Sequence, residues 1–221
     1  MLVTVTSHKG GVGKTTSAIH LAAVLAEEYG SENVVLVDTD PNESALDQSR
    51  RGVELNGVRG LPFRVAGPEE EITEDHVVFD SQGRLSGEDL EAALEGSDLL
   101  VVPTMPDYPE IKALARFAAD VEEASEEIRR ATGGGGEAAP YRVLLTMVPW
   151  YERLHSPGRS ELEDAEVPLF ESQVEARKAF KHAAALGVPV SGVKGRAARA
   201  GWADYRKVGK EMIRDLEVVS R

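Results

Sequence analysis

Cysteine does not occur in this sequence of 221 residues. That absence removes disulfide frameworks, thiolate zinc sites, cysteine-ligated iron–sulfur clusters and cysteine nucleophiles together. No apolar run approaches the roughly 20 residues needed to span a bilayer. The opening residues, MLVTVTS, have no basic region leading into a long apolar stretch, so they do not read as a secretory leader and a cytoplasmic location is expected. Positive charge is also in deficit. The 25 Lys and Arg against 38 Asp and Glu leave a net charge of −13, which as an average disfavours a polyanionic partner. With 42% hydrophobic residues the chain can bury a full core, and residues 1–221 read as one domain without internal repeats.

Strands alternate with helices along the chain. Apolar, β-branched runs occupy residues 2–6, 34–38, 76–80, 98–103 and 141–148, with short ones near 62–65 and 167–170. Helical periodicity covers about 15–29, 43–51, 87–96, 108–131, 172–186 and 202–219. Strands that are apolar throughout and separated by helices imply a doubly wound α/β fold, a mostly parallel sheet flanked by helices on both faces. TGGGGEAAP, residues 132–140, reads as a mobile surface connection.

Three strands end in chemically loaded residues, where ligands of such sheets bind. The first runs into HKGGVGKTT, residues 8–16, and then a helix. Gly10, Gly11 and Gly13 let backbone N–H groups turn onto a phosphate, with Val12 between them, and the helix N-terminus adds its positive dipole end. Lys14 is placed to reach the terminal phosphates, and Thr15, followed by Thr16, to put a hydroxyl on Mg²⁺. His8 stands where a standard phosphate loop has its first glycine. The second strand ends in VLVDTDP, whose Asp38 and Asp40 project to the same side of an extended segment. Beside a phosphate site, one can orient the metal's water shell and the other the attacking water. The third, HVVFDSQG, delivers Asp80 as a Mg²⁺ holder, with Gly83 free to move with the γ-phosphate. Gln82 reads as solvated, or as a group that orients water.

KGGVGKTT, VLVDTDP and VVFD, in this order and spacing, resemble the ParA/MinD group of ATPases. Their phosphate loop is called a deviant Walker A for its extra lysine. The compact length, without an N-terminal DNA-binding extension, and LLVVPTMPDYPEIKAL most resemble the small ParA partition ATPases. The resemblance implies Lys9 as the signature lysine, reaching across to the nucleotide of a second subunit, and Lys14 as the phosphate-loop lysine. It implies Thr15 as Mg²⁺ ligand, Asp40 as governing water activation and Asp80 as the Walker B acid, with the carboxylates of Asp38 and Asp80 acting on the metal through water. The cofactors are then ATP and Mg²⁺. The assembly is a homodimer formed on ATP binding, which hydrolyses slowly alone and faster with a ParB-type centromere-binding partner. Met147 and Pro149, near the end of LLTMVP, are candidate base contacts; Trp150 and Tyr151 beside them read equally as packing residues. Two departures from the pattern stand out: Asn42 where glutamine is usual after DxDP, and SQGR where a Pro-rich segment usually follows the Walker B acid.

The charge is unevenly spread. Residues 177–210 hold Arg177, Lys178, Lys181, Lys194, Arg196, Arg199, Arg206, Lys207 and Lys210 against the single acid Asp204, a net +8 that leaves −21 for the rest of the chain. A concentrated basic segment suits non-sequence-specific DNA binding, whereas a solvated helical face is the plainer explanation of any charge run. With the resemblance, this implies plasmid or chromosome partitioning by a DNA-bound, nucleoid-associated dimer. The alternatives are a MinD-like membrane-cycling ATPase and a positioning ATPase for another cargo. Against the membrane alternative, the terminal EMIRDLEVVSR carries Glu211, Asp215 and Glu217, which anionic lipid would repel. A small-molecule ligase using the same loop would need a substrate pocket that the sequence does not reveal.

Overall fold

The computed structural model describes residues 1–57, 60–133, 135–152 and 157–219. Among them six strands, β1 (Leu2–Val5), β2 (Val34–Asp38), β3 (Arg64–Ala66), β4 (His76–Asp80), β5 (Leu99–Thr104) and β6 (Tyr141–Leu145), form one sheet in the order β3-β2-β4-β1-β5-β6. Every pairing is parallel. The helices are α1 (Lys14–Tyr29), α2 (Ser44–Asn56), α3 (Glu88–Glu95), α4 (Tyr108–Ala131), α5 (Pro157–Asp164), α6 (Lys178–Ala185) and α7 (Arg196–Val219). The doubly wound fold expected from the alternating pattern is therefore present.

The side-chain period of 2 divides the core between the two faces. Leu99 and Val101 of β5 join α1 and α7 in one cluster, while Leu100 and Val102 join α3 and α4 in another. Helix α1 is buried without a break from Ser17 to Ala26. A helix apolar all round must be covered on every side, and its lid is α7, which contributes Tyr205, Val208 and Met212 to the same cluster.

Several elements depart from the periodicity. No helix begins at residue 172. Residues 172–176 instead run extended beside β6, Val174 N–H donating to Leu145 O at 2.9 Å and Ala176 N–H to Val148 O at 2.9 Å, and α6 starts only at Lys178. The short strand near 167–170 is a single bridge, Val143 to Leu169, because Pro168 has no N–H to continue a ladder. Strand β6 stops at Leu145 rather than 148, since Met147 turns left-handed at φ 52°. Helix α7 starts at Arg196, six residues earlier than its apolar period suggests, and α5 has no apolar signature strong enough to find. In the connection 132–140, Gly134 lies outside the described residues, while Ala139 is buried and donates its N–H to Leu94 O at 2.9 Å.

Helices α1 and α7 cross at Gly209, where an added Cβ would lie 2.5 Å from Val24 Cγ1. Gly209→Ala gains about 1 kcal/mol of helix propensity but overpacks the crossing at about 1–3 kcal/mol. Net destabilisation is expected. Thermal unfolding should show the melting temperature falling by about 2–4 °C per kcal/mol lost, with Val24→Ala in the same background recovering part of it.

Candidate functional site

The turn between β1 and α1 is shaped by Gly11 at φ 85° and Gly13 at φ 88°, conformations that side chains rarely adopt. Gly13 is the N-cap of α1 and no side chain caps that end, so the first-turn amides remain available to an anion. The loop is braced from two sides. The Thr146 hydroxyl donates to Val12 O at 2.7 Å, and the Ser7 hydroxyl donates to Lys9 O at 3.0 Å. Gly10, Gly11, Gly13, Lys14, Thr15 and Thr16 line a cavity of about 520 Å³, together with Asp40, Asn42, Ser44, Gly83, Arg84 and Met147. Val12 is buried beneath it, and the Lys9 side chain is exposed on the loop.

Lys14 gathers the acids. Its Nζ lies 2.7 Å from Asp80 Oδ1 and 2.9 Å from Asp40 Oδ2. Burial pushes the Asp80 carboxyl up, and the nearby Lys14 ammonium only partly offsets it. Burial also acts to raise Asp40, but the Asn42 amide and the Lys14 ammonium outweigh it and hold the group below its ordinary value. Asn42, the departure after DxDP, donates both its backbone N–H (2.9 Å) and its side-chain amide (2.8 Å) to Asp40 Oδ1. Asp38 sits opposite Asp80 in register but serves a different task. Its Oδ2 accepts the N–H groups of Ala45 and Leu46 at 2.9 and 3.0 Å, capping α2, and its Oδ1 accepts that of Asp40 at 3.2 Å. Neither Asp38 nor Asp80 is on the cavity wall.

These residues fit Mg²⁺. Asp80 Oδ2 is buried without a hydrogen-bond partner, and with the Thr15 hydroxyl it supplies the hard oxygen donors this ion prefers while keeping much of its water. No cluster of three or more His, Cys, Asp or Glu among the described residues could hold a metal alone. Phosphate oxygens would have to complete the coordination.

After β4 the chain returns to the loop. Gln82 donates to Asp89 Oδ2 at 3.0 Å and lines a separate cavity, so it does not face the phosphate loop. Arg84, which sequence reasoning passed over, does face it. Its N–H donates to Ser7 O at 2.7 Å and its Nε to His8 O at 3.2 Å. The only sequence signal was the unusual SQGR itself.

A second cavity, about 700 Å³ and mostly apolar, adjoins the first through shared Gly13, Thr16 and Met147. Val174, Ala176, Phe180, Ala184 and Tyr205 complete its apolar wall. These come from segments remote from LLTMVP, and a contact of that kind has no local signature. Pro149 is not on either wall. Trp150 and Tyr151 are not packing residues: they are 79% and 68% exposed, paired edge to face at 5.9 Å.

The structure separates the nine cations of the basic segment. Arg177 is held by Glu175 at 2.8 Å and Asp204 at 3.2 Å, and with Lys178 and Lys181 it lines the apolar cavity. Lys194 is exposed just before α7. Arg196, Arg199, Arg206, Lys207 and Lys210 are exposed on α7 at spacings that keep them on one face, opposite Tyr205, Val208 and Met212. Arg206 also meets Glu27 at 3.1 Å. Towards its end α7 is docked rather than loose. Buried Glu211 accepts the N–H groups of Glu171 and Ser172, and Asp215 lies 2.6 Å from Arg142.

A glycine turn with open amides at the carboxyl end of β1, a lysine inside it, and acids at the ends of β2 and β4 define a phosphate-loop nucleotide site. The chain belongs to the CobQ/CobB/MinD/ParA nucleotide binding domain family, whose model matches residues 3–190. It is 34% identical over 219 residues, 97% of this chain and 94% of the relative, to maintenance of carboxysome distribution protein A of Gloeobacter kilaueensis. Among solved structures it resembles a protein assigned to plasmid partition from Borrelia burgdorferi B31, bound to AMPPNP, with a TM-score of 0.67 and 16% identity, covering 96% of this chain and 98% of that one. It also resembles the septum site-determining protein MinD complexed with Mg-ADP from Pyrococcus horikoshii OT3, with a TM-score of 0.64 and 15% identity, covering 95% and 94%.

The helix that begins at this loop is anchored by His20. Its Nε2 accepts the Val190 N–H at 2.9 Å, so Nδ1 carries the proton and donates to Thr16 O at 2.6 Å. Burial lowers the imidazole from 6.5 to about 4. Because the folded value lies below the unfolded one, the unfolded chain binds the extra proton, and stability is lost as pH falls from about 6.5 to about 4. The full loss is about 3 kcal/mol. Urea unfolding at pH 7 and pH 4.5 should therefore show a shallower acid loss for His20→Gln than for the wild type.

Proposed function

We propose that this chain is an ATPase that dimerises around ATP and Mg²⁺, binds DNA non-specifically in that state, and positions a cargo along it. The observation that carries this reading is Lys14 bridging Asp40 and Asp80 directly beneath the uncapped end of α1. An entering triphosphate offers Lys14 a stronger anionic partner, and the turn of its ammonium releases both carboxylates. Asp80 and Thr15 are then the groups that would hold Mg²⁺, with Asp38 fixing α2 behind them. Bound Mg²⁺ supplies charge neutralisation at the transferring phosphoryl group. Asp40, still held down by the two Asn42 donors, is a weak proton acceptor and acts by orienting water. The apolar cavity suits the base, with Met147 between base and phosphates.

Lys9 is exposed on the rim of the loop, which suits a group directed at the nucleotide of a second copy. Such a lysine adds charge to the phosphates only once two chains meet, linking ATP to dimerisation. The basic face of α7 supports DNA as the surface on which the dimer works. A membrane-cycling reading is not favoured: the apolar side of α7 is already covered by α1. In the first reading the cargo is a plasmid or chromosome, hydrolysis is stimulated by a ParB-type partner, and the protein is cytoplasmic and nucleoid-associated. The likeness over nearly the whole chain to a carboxysome distribution protein favours a second reading in which a protein body is carried.

Sedimentation with Mg²⁺ and a slowly hydrolysed ATP analogue should give a dimer for the wild type and a monomer for Lys9→Ala; a dimer in both would overturn the role given to Lys9. DNA pelleting should require ATP. If about five phosphates are neutralised, log affinity falls against log salt with a slope of about −4 to −5, and a flat response would overturn the DNA reading.

A further inference from the structure

The segment after β4 and the residue in place of the loop's first glycine are joined in space. Arg84 is held left-handed at φ 63°, a conformation disfavoured for a residue with a Cβ. Two hydrogen bonds onto the loop stabilise it there, its N–H to Ser7 O and its Nε to His8 O. A carbonyl at position 8 is common to all residues, so His8 serves here through its backbone. The guanidinium forms no ion pair among the described residues and lines the phosphate cavity. With Nε engaged, the two terminal nitrogens remain as a fork suited to a bidentate anion.

The two cavities give the site a direction. The apolar one shares Gly13, Thr16 and Met147 with the phosphate cavity but not Asp40, Gly83 or Arg84. A nucleotide with its base in the apolar cavity therefore points its last phosphate toward Asp40 and Arg84. Lys14 faces two carboxylates as well as the incoming phosphates, so a second cationic side chain from the same chain at that end favours the more highly charged nucleotide.

We propose that Arg84 contacts the γ-phosphate and makes the site prefer ATP to ADP. This rests on the ATP-binding reading above. It adds a cationic group in the same chain as Lys14, distinct from the one that Lys9 would bring from a second copy.

The test is equilibrium binding of fluorescent ADP and fluorescent AMPPNP, with Mg²⁺, to the wild type, Arg84→Ala and Arg84→Lys in the whole chain. Both substitutions keep a Cβ, so neither changes the backbone preference at φ 63°. Arg84→Ala should weaken AMPPNP by about tenfold or more, the size of a hydrogen bond to a charged group, and leave ADP within about twofold. Arg84→Lys should recover part of the AMPPNP loss. Unchanged ADP affinity also reports that the variant site is folded. Equal weakening of both nucleotides would make Arg84 a clamp on the loop and overturn the proposal, as would no change in either. A wild type that bound ADP and AMPPNP equally would overturn the role of Arg84 while leaving nucleotide binding intact. A wild type that bound neither would overturn the ATP reading and this one with it.

Discussion

Three carboxylates, Asp38, Asp40 and Asp80, converge where β2 and β4 end, and Asp80 has no solvent exposure at all. Taking a carboxylate out of water costs several kcal/mol unless donors or a counter-charge replace the lost hydration. The chain answers in two ways. Backbone N–H groups from the start of α2 satisfy Asp38, while one ammonium, that of Lys14, serves Asp40 and Asp80 together. Lys14 is the first residue of α1, so this one group ties the glycine turn to the two strand ends. Without it the corner would hold two acids with no counter-charge, one of them buried. The same pairing sets up the chemistry. The corner is compensated enough to fold, while in the proposed function its cation is the group that an anion of higher charge would draw away.

How much of this was legible follows the range of the interactions. The phosphate loop and the strand-end acids were readable because each is a short string of residues whose neighbours in sequence are also its neighbours in space. The sheet was readable because its strands are apolar on both faces. Residues 172–176 misled because their pattern suits a helix, whereas β6 offers unpaired backbone groups and wins them as an extended edge. Asp38 was expected beside the metal; its bonds to Ala45 and Leu46 depend on where α2 begins, which composition does not reveal. Arg84 escaped notice because its partners, Ser7 and His8, lie some 76 residues earlier in the chain. The apolar cavity is invisible for the same reason, its walls coming from four separated segments.

The basic segment shows the limit of counting charge. Arg177 contributes to the net +8 but is held by Glu175 and Asp204, so it organises the cavity wall rather than the surface. Burial pushes Asp204 up, and Arg177 opposes that shift, which marks the pair as internal. What remains exposed on α7 is better ordered than the count suggested. The cations repeat at three, four and seven residues along one face of a helix, and the opposite face is core.

That arrangement bears on how nucleotide could govern DNA. Helix α7 forms part of the apolar cavity through Tyr205, whose hydroxyl meets Ser17 of α1 at 3.0 Å and whose ring stacks on His20 at 4.6 Å. The two helices are also in backbone-close contact at Gly209. A helix fixed at these points cannot slide or rotate over α1 without opening a close-packed crossing and breaking buried polar contacts, and packed cores resist such continuous deformation. Nucleotide is therefore a poor lever for reshaping the basic face within one chain. The physically cheaper route is to leave α7 where it is and bring two copies of it together. If the proposed DNA binding holds, two moderate basic surfaces on a chain that is otherwise strongly acidic would each bind weakly, and their joining would multiply affinity through effective concentration with no new contact required. Under the proposed function, any ATP dependence of DNA binding would therefore belong to the dimer, and α7 need only be rigid.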